Sequence, residues 1–281
     1  MNEVATIVPQ AQSNDAKPAE NAGRLISDAP HKGAAPGAPA RKNQGGGQSY
    51  FSVSNLHAYY GESYVVQGVS FNVREGEIVA LLGRNGAGKT STLRAIARVD
   101  SPAVRRGEVW LDHKPLHEMR AHEAARNGIG LVPEDRRIIQ GLTVEENLKL
   151  AQIAPPKGWS LERIYELFPR LAERREQEAT TMSGGEQQML ALARVLARDV
   201  KLLLLDEPYE GLAPVIVQEI EKTLEEIKSL GMTTIIVEQN AIAALHLADR
   251  AIILDTGEIV FDGTAQEVLD NEELRHDYLA L

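Results

Sequence analysis

Residues 83–90 read Gly-Arg-Asn-Gly-Ala-Gly-Lys-Thr, which satisfies the pattern G-x-x-x-x-G-K-[ST]. The run follows the apolar stretch Ile-Val-Ala-Leu-Leu (78–82) and precedes Thr-Ser-Thr-Leu-Arg-Ala-Ile-Ala-Arg-Val (90–99). This context narrows the folds open to the chain. Glycines at these positions let backbone N–H groups turn inward around phosphate oxygens, and a helix starting at the lysine adds the positive end of its dipole. Lys89 is expected to reach the β and γ phosphates of a nucleotide, and the Thr90 hydroxyl to ligate Mg²⁺. Gly83, Arg84, Asn85, Gly86, Ala87, Gly88 and Ser91 complete the expected nucleotide-contacting run. A strand that is apolar on both faces, ending in a loop and a helix, calls for a central sheet covered on both sides.

Further runs of the same kind extend that sheet. Lys-Leu-Leu-Leu-Leu-Asp (201–206) and Thr-Thr-Ile-Ile-Val (233–237) predict two more buried strands. Residues 128–137 predict a strand leading into charged residues, and 251–263 a hairpin turning at Thr256-Gly257. Residues 50–61, 65–73 and 107–112 predict shorter strands. Helices are expected over 142–153, 160–168, 183–197 and 215–230, the first opened by Thr143 with Glu146 as a capping box and stopped by Pro155 and Pro156. Buried strands alternating with such helices mean α/β architecture with a largely parallel sheet. Residues 1–48 are rich in Ala, Pro and Gly and lack aromatic residues; with no periodicity they predict a disordered tail, and 49–281 a folded domain.

The strand at 202–205 delivers Asp206-Glu207-Pro208. Asp206 is expected to hold Mg²⁺ through water, and Glu207 to take a proton from an attacking water as general base. With the phosphate loop this reads as a nucleoside triphosphatase. The absence of cysteine removes disulfides, cysteine-ligated zinc, iron–sulfur clusters and a cysteine nucleophile. A formal charge of -10 argues against a nucleic-acid partner, and no run is apolar for the roughly 18 residues of a membrane span.

Ser-Gly-Gly-Glu-Gln-Gln (183–188), lying between the two nucleotide motifs, makes the chain from about Tyr50 to Leu281 resemble the ATP-binding cassette family. The resemblance implies a P-loop NTPase with a RecA-like mixed-sheet core, an N-terminal antiparallel β subdomain and an inserted helical subdomain over about 143–187. It implies ATP and Mg²⁺ as ligands, and a second cassette subunit. Ser183, Gly184 and Gly185, with Glu186 and Gln187 in the same signature, would act in trans on ATP held by the partner. Tyr60, or its neighbour Tyr59, matches the aromatic residue that stacks on adenine. Glu134 stands where the family usually has a glutamine reaching Mg²⁺ and the membrane subunit. Gln239, at the end of Thr-Ile-Ile-Val-Glu-Gln-Asn (234–240), stands where a γ-phosphate-contacting histidine is usual; its amide can donate a hydrogen bond but cannot take up a proton. On this reading the strand delivers its polar end to the phosphate site. Ala213 replaces an aspartate common in the family.

The motifs Val-Pro-Glu-x-Arg-Arg (132–137), Leu-Thr-Val-Glu-Glu-Asn-Leu (142–148), Gly-Leu-Ala-Pro (211–214) and Val-Glu-Gln-Asn are similar to the smaller ATP-binding subunit of high-affinity branched-chain amino acid importers. Members of that group carry the same glutamate and glutamine. Tyr209-Glu210 departs from it and is more similar to the urea-importer subunit. The resemblance implies a subunit peripheral to the cytoplasmic face of a membrane, bound to two permease subunits and served indirectly by a solute-binding protein. Alternatives are a urea or amide importer, a lipopolysaccharide-type extractor, a nucleotide-gated partner hydrolysing little, and a non-transport cassette of DNA repair or ribosomes. That last type usually carries a coiled-coil insertion or a second cassette, which is not seen here. Asp249, Trp110, Trp159 and the scattered histidines are expected to be structural.

Overall fold

The computed structural model describes residues 49–153, 155 and 157–279. The expected tail, Pro156 and the last two residues lie outside the described residues. Two sheets organise the rest. The first is antiparallel, in the order β2-β1-β4-β5, from β1 (Phe51–Tyr60), β2 (Ser63–Val73), β4 (Ala103–Leu111) and β5 (Lys114–Pro115). The second has the order β10-β9-β3-β8-β7-β6. It comprises β3 (Ile78–Leu82), β6 (Ile129–Val132), β7 (Leu202–Asp206), β8 (Thr233–Val237), β9 (Arg250–Asp255) and β10 (Glu258–Thr264). Five of these strands run parallel and β10 turns back antiparallel on β9.

The helices are α1 (Lys89–Ile96), α2 (Ala121–Arg126), α3 (Val144–Ala151), α4 (Leu161–Leu167), α5 (Pro169–Glu173), α6 (Gly184–Leu196), α7 (Pro214–Ser229), α8 (Ala241–Leu247), α9 (Ala265–Asp270) and α10 (Glu272–Leu279).

The central strands β3, β7 and β8 are buried along their whole length because alternate residues feed different cores. Ile78, Ala80, Leu82, Leu203, Leu205 and Ile236 join a core built with α3 to α9. Val79, Leu81, Leu202, Leu204, Ile235 and Val237 join another, shared with α1 and the antiparallel sheet. Burying a Leu, Ile or Val side chain is worth about 1.5–3 kcal/mol, so both faces of the central strands are held. Because β3, β8 and β7 are parallel neighbours, their carboxyl ends bring Gly83, Glu238 and Asp206 to one edge, where α/β sheets bind ligands.

Several boundaries differ from the sequence reading. β4 starts at Ala103, four residues before the expected 107, because Val104 and Arg106 pair with Ala58 and His57 of β1. The helix expected to 153 ends at Ala151, although its capping box forms: Thr143 N donates to Glu146 at 2.8 Å and Glu146 N to Thr143 at 3.2 Å. α5 ends at Glu173, and the next residue, Arg174, pairs with Glu186 at 2.5 Å. Asp249 is structural: it accepts from Ile78 N at 2.9 Å and pairs with Lys228 at 2.8 Å.

Candidate active site

The loop after β3 folds as only glycine permits at two positions. Gly83 has φ 144 and Gly88 φ 97, and an added Cβ would lie 2.2 Å from the Leu254 carbonyl or 2.7 Å from that of Val65. Lys89 begins α1 almost fully buried. Its Nζ donates to the carbonyls of Gly83 at 2.9 Å and Arg84 at 3.3 Å. The ammonium therefore closes the loop over the space an anion would fill. Burial pulls the Lys89 pKa down, while Glu207, Asp206 and Glu238 pull it back up. Arg84 donates to the His276 carbonyl of α10 at 3.3 Å, so its side chain leaves the loop and only its backbone faces the cradle.

The acidic pair sits beside this loop. Thr90 Oγ1 donates to Asp206 Oδ1 at 2.7 Å. Asp206 is 1% exposed and its Oδ2 has no partner. Burial raises its pKa, the Thr90 bond and Arg94 oppose this, and the charge of Glu134 adds to the rise. A buried carboxylate oxygen with no donor, next to a hydroxyl, fits a hard cation with oxygen ligands. Glu207 has a left-handed backbone, φ 49, unusual for a residue with a side chain. Its N–H donates to the Val237 carbonyl at 2.9 Å, and its Oε2 accepts from Gln239 Nε2 at 2.9 Å. Glu210 also neighbours Glu207 and Glu134, and the nearby Glu207 carboxylate is the chief influence raising its pKa.

The strand end 238–240 separates into three tasks, which corrects the expectation that it serves the phosphate site as a unit. Gln239 alone reaches the candidate base. Glu238 is buried and accepts from Tyr209 N at 2.8 Å. Asn240 caps α8, accepting from Ala243 N at 3.3 Å. Tyr209 and Glu210 were not expected at the site from sequence, and Glu238 was expected at the phosphate site, not on the Tyr209 turn. The apolar Ile-Ile-Val run gave the strand, but no local signal showed that a carboxylate would bond a loop 29 residues back in the chain.

Of the two tyrosines, Tyr59 is occupied: it stacks on Tyr64 at 4.6 Å and carries the Arg105 guanidinium over its ring, 4.3 Å from the ring centre. Tyr60 is 37% exposed and free of such stacking among the described residues. The signature opens α6. Ser183 caps the helix, its Oγ bonded to Glu186 at 2.8 Å, and is itself exposed. Gly184 lies against the Arg136 guanidinium, and a Cβ at Gly185 would meet Ile216 at 2.3 Å. Glu186 and Gln187 turn toward their own chain, Glu186 to Ser183 and Arg174, Gln187 to the carbonyls of Thr180 and Met182 at 3.2 and 3.1 Å.

A phosphate cradle, a buried acid beside a hydroxyl and a helix-capping Ser-Gly-Gly on a two-sheet α/β frame define a nucleoside-triphosphate-dependent cassette. The family model described as ABC transporter matches residues 66–210. The chain is 44% identical over 231 residues to the high-affinity branched-chain amino acid transport ATP-binding protein BraG of Pseudomonas aeruginosa, covering 81% of this chain and 98% of that one. It is 33% identical to the lipopolysaccharide export system ATP-binding protein LptB of Haemophilus influenzae, covering 82% of this chain and 97% of that protein. A dimeric structure of a post-hydrolysis state of the ATP-binding cassette MJ0796, bound to ADP and Pi, superposes with a TM-score of 0.67 at 26% identity, covering 76% and 98% of the two chains. The chain belongs to the ABC transporter family, as one of its ATP-binding, ATP-hydrolysing cassettes.

Proposed function

We propose that this chain is the ATP-hydrolysing subunit of an importer for branched-chain amino acids or related small polar solutes. The solute class rests on the 44% identity to BraG over almost all of that protein; the lower identity to LptB makes lipopolysaccharide extraction the weaker reading. The hydrolytic role rests on one observation above others, the 2.9 Å bond from Gln239 to Glu207 beside the buried Lys89 loop.

The backbone of Gly83–Gly88 cradles the phosphates and Lys89 neutralises the β and γ oxygens. Tyr60 offers its exposed ring to adenine. Thr90 and Asp206, with Glu134 at the rim, would hold Mg²⁺, which supplies charge neutralisation at the phosphates when bound. Glu207 accepts the proton of the attacking water. Gln239 fixes the carboxylate by donating one N–H, leaving Oε1 to the water, and needs no proton of its own for this. Ser183 and the N–H groups of Gly184 and Gly185 stand at a helix start, able to close on a nucleotide of a second cassette.

Among the described residues no helix is long and apolar enough to cross a membrane; on the likeness to an importer's ATP-binding protein, the chain would reach its membrane through permease subunits at the cytoplasmic face. An open groove of about 590 Å³ supports that contact: it carries Arg126, Arg137 and Arg194 beside Leu150 and Ile153. Ile153 is 71% exposed, and the mixture suits an amphipathic segment with acidic residues.

The test is ATP turnover by the purified chain beside Glu207→Gln and Gln239→Ala. Removing a general base costs on the order of 10²–10⁴-fold, so Glu207→Gln is expected to lose at least that much. Gln239→Ala is expected to lose less, since it removes only an orienting bond. Unimpaired turnover by Glu207→Gln would refute the assignment. For the solute, uptake of labelled leucine and labelled urea in cells carrying Lys89→Ala separates the importer readings: loss of leucine uptake alone supports the proposal, and loss of urea uptake alone replaces it.

A further inference from the structure

Glu238 is a carboxylate 3% exposed at the carboxyl end of β8. It makes its hydrogen bonds to backbone N–H groups. Oε1 accepts from Tyr209 N at 2.8 Å and Oε2 from Gln239 N at 3.1 Å. The strongest charge acting on it is that of Glu207, which has the same sign. Burying a carboxylate costs several kcal/mol unless its bonds compensate, so an apolar residue here would suit the core better.

The bonds show what the carboxylate holds. On one side is the segment 207–211, which also hangs from β8 by the Glu207 N–H on the Val237 carbonyl. On the other is the backbone of Gln239, whose side chain bonds Glu207. Glu207, Gln239, Glu238 and Tyr209 thus form a closed loop of contacts.

We propose that Glu238 is a positioning residue for hydrolysis: it locks the Gln239 backbone and the Tyr209–Gly211 turn together, so that Glu207 and the Gln239 amide are held in one geometry. The inference rests on the reading of Glu207 as the base. It adds a second consequence. The Tyr209–Gly211 turn leads directly into the exposed Ala213, Pro214 and Val215, so a displacement of that surface is transmitted to Glu207 through Glu238.

The test compares Glu238→Ala and Glu238→Gln in the full chain, with Glu207→Gln and Gln239→Ala alongside. Glu238→Ala is expected to lower kcat about tenfold or more while the KM for ATP stays within about twofold. Glu238→Gln keeps an oxygen for Tyr209 N and is expected to recover part of kcat. In a Gln239→Ala background Glu238→Ala should add little, because the two act on one carboxylate. Amide exchange at Tyr209 and Gln239 should quicken in Glu238→Ala. Variants that lower only the melting temperature, or losses that multiply with Gln239→Ala, overturn the proposal. If Glu207→Gln retains turnover, the reading of the base fails instead; unchanged amide exchange at Tyr209 and Gln239 overturns the present inference independently.

Discussion

Asp206 and Glu238 are both carboxylates taken from water, and the site keeps them at a cost to the fold. Burial pushes the Glu238 pKa up from 4.5 to about 7, against the backbone N–H groups that bond it and assisted by Glu207. A group whose folded-state value is raised contributes stability fully present below its unfolded value, near 4.5, and lost as pH rises through 7. The shift corresponds to about 3 kcal/mol. Thermal unfolding at pH 5.5 and pH 8 is expected to show a steeper loss for the native chain than for Glu238→Gln; equal slopes would contradict the burial argument. Asp206→Asn removes a charge whose Oδ2 finds no donor. It is expected to raise the melting temperature of the nucleotide-free chain at pH 8 while abolishing turnover, the trade expected where a fold holds a group for its chemistry. A lowered melting temperature would show instead that the Thr90–Asp206 bond outweighs the desolvation.

The elements show which sequence signals survive folding. The strands Ile78–Leu82, Leu202–Asp206 and Thr233–Val237 were legible because both faces are buried and every residue but the terminal Asp206 is apolar or strand-forming. The hairpin was legible because a glycine, Gly257, breaks two apolar runs; it takes a positive φ of 84, and Thr256 beside it one of 47. The phosphate loop and the acidic pair were legible for the same local reason, since each is carried within one strand end. The Glu207–Gln239 and Glu238–Tyr209 bonds join strands β7 and β8 through side chains. No periodicity within either strand encodes such a pairing. β4 begins early because Arg105 and Arg106 are strand residues on an exposed face, where charge masks the pattern. Helix α3 gives a test confined to its own element: Thr143→Ala removes a formed capping box and is expected to cost about 1 kcal/mol. For a domain of this size that lowers the melting temperature by about 2–4 °C, read by thermal unfolding. No change would mean the helix end is held by packing alone.

At the scale of the molecule, the phosphate loop and the signature serine belong to different parts of one chain. The loop lies at the carboxyl edge of the second sheet. Ser183 is exposed at the start of α6, which packs on β6, α3, α5 and α7. The glycine-rich loop, the Thr90–Asp206 pair and the candidate base Glu207 gather at that edge, and the Ser-Gly-Gly cap opens a different element, α6. On the proposed function, the loop of one cassette and the signature of a second would complete one nucleotide site. The measurement that tests this most directly is ATP turnover as a function of protein concentration, paired with sedimentation of Glu207→Gln with and without ATP and Mg²⁺. The account predicts turnover rising more than linearly with protein, or restored by a second cassette, and an ATP-dependent dimer in Glu207→Gln that Ser183→Arg prevents. Strictly linear turnover from a species that stays monomeric with ATP would contradict it.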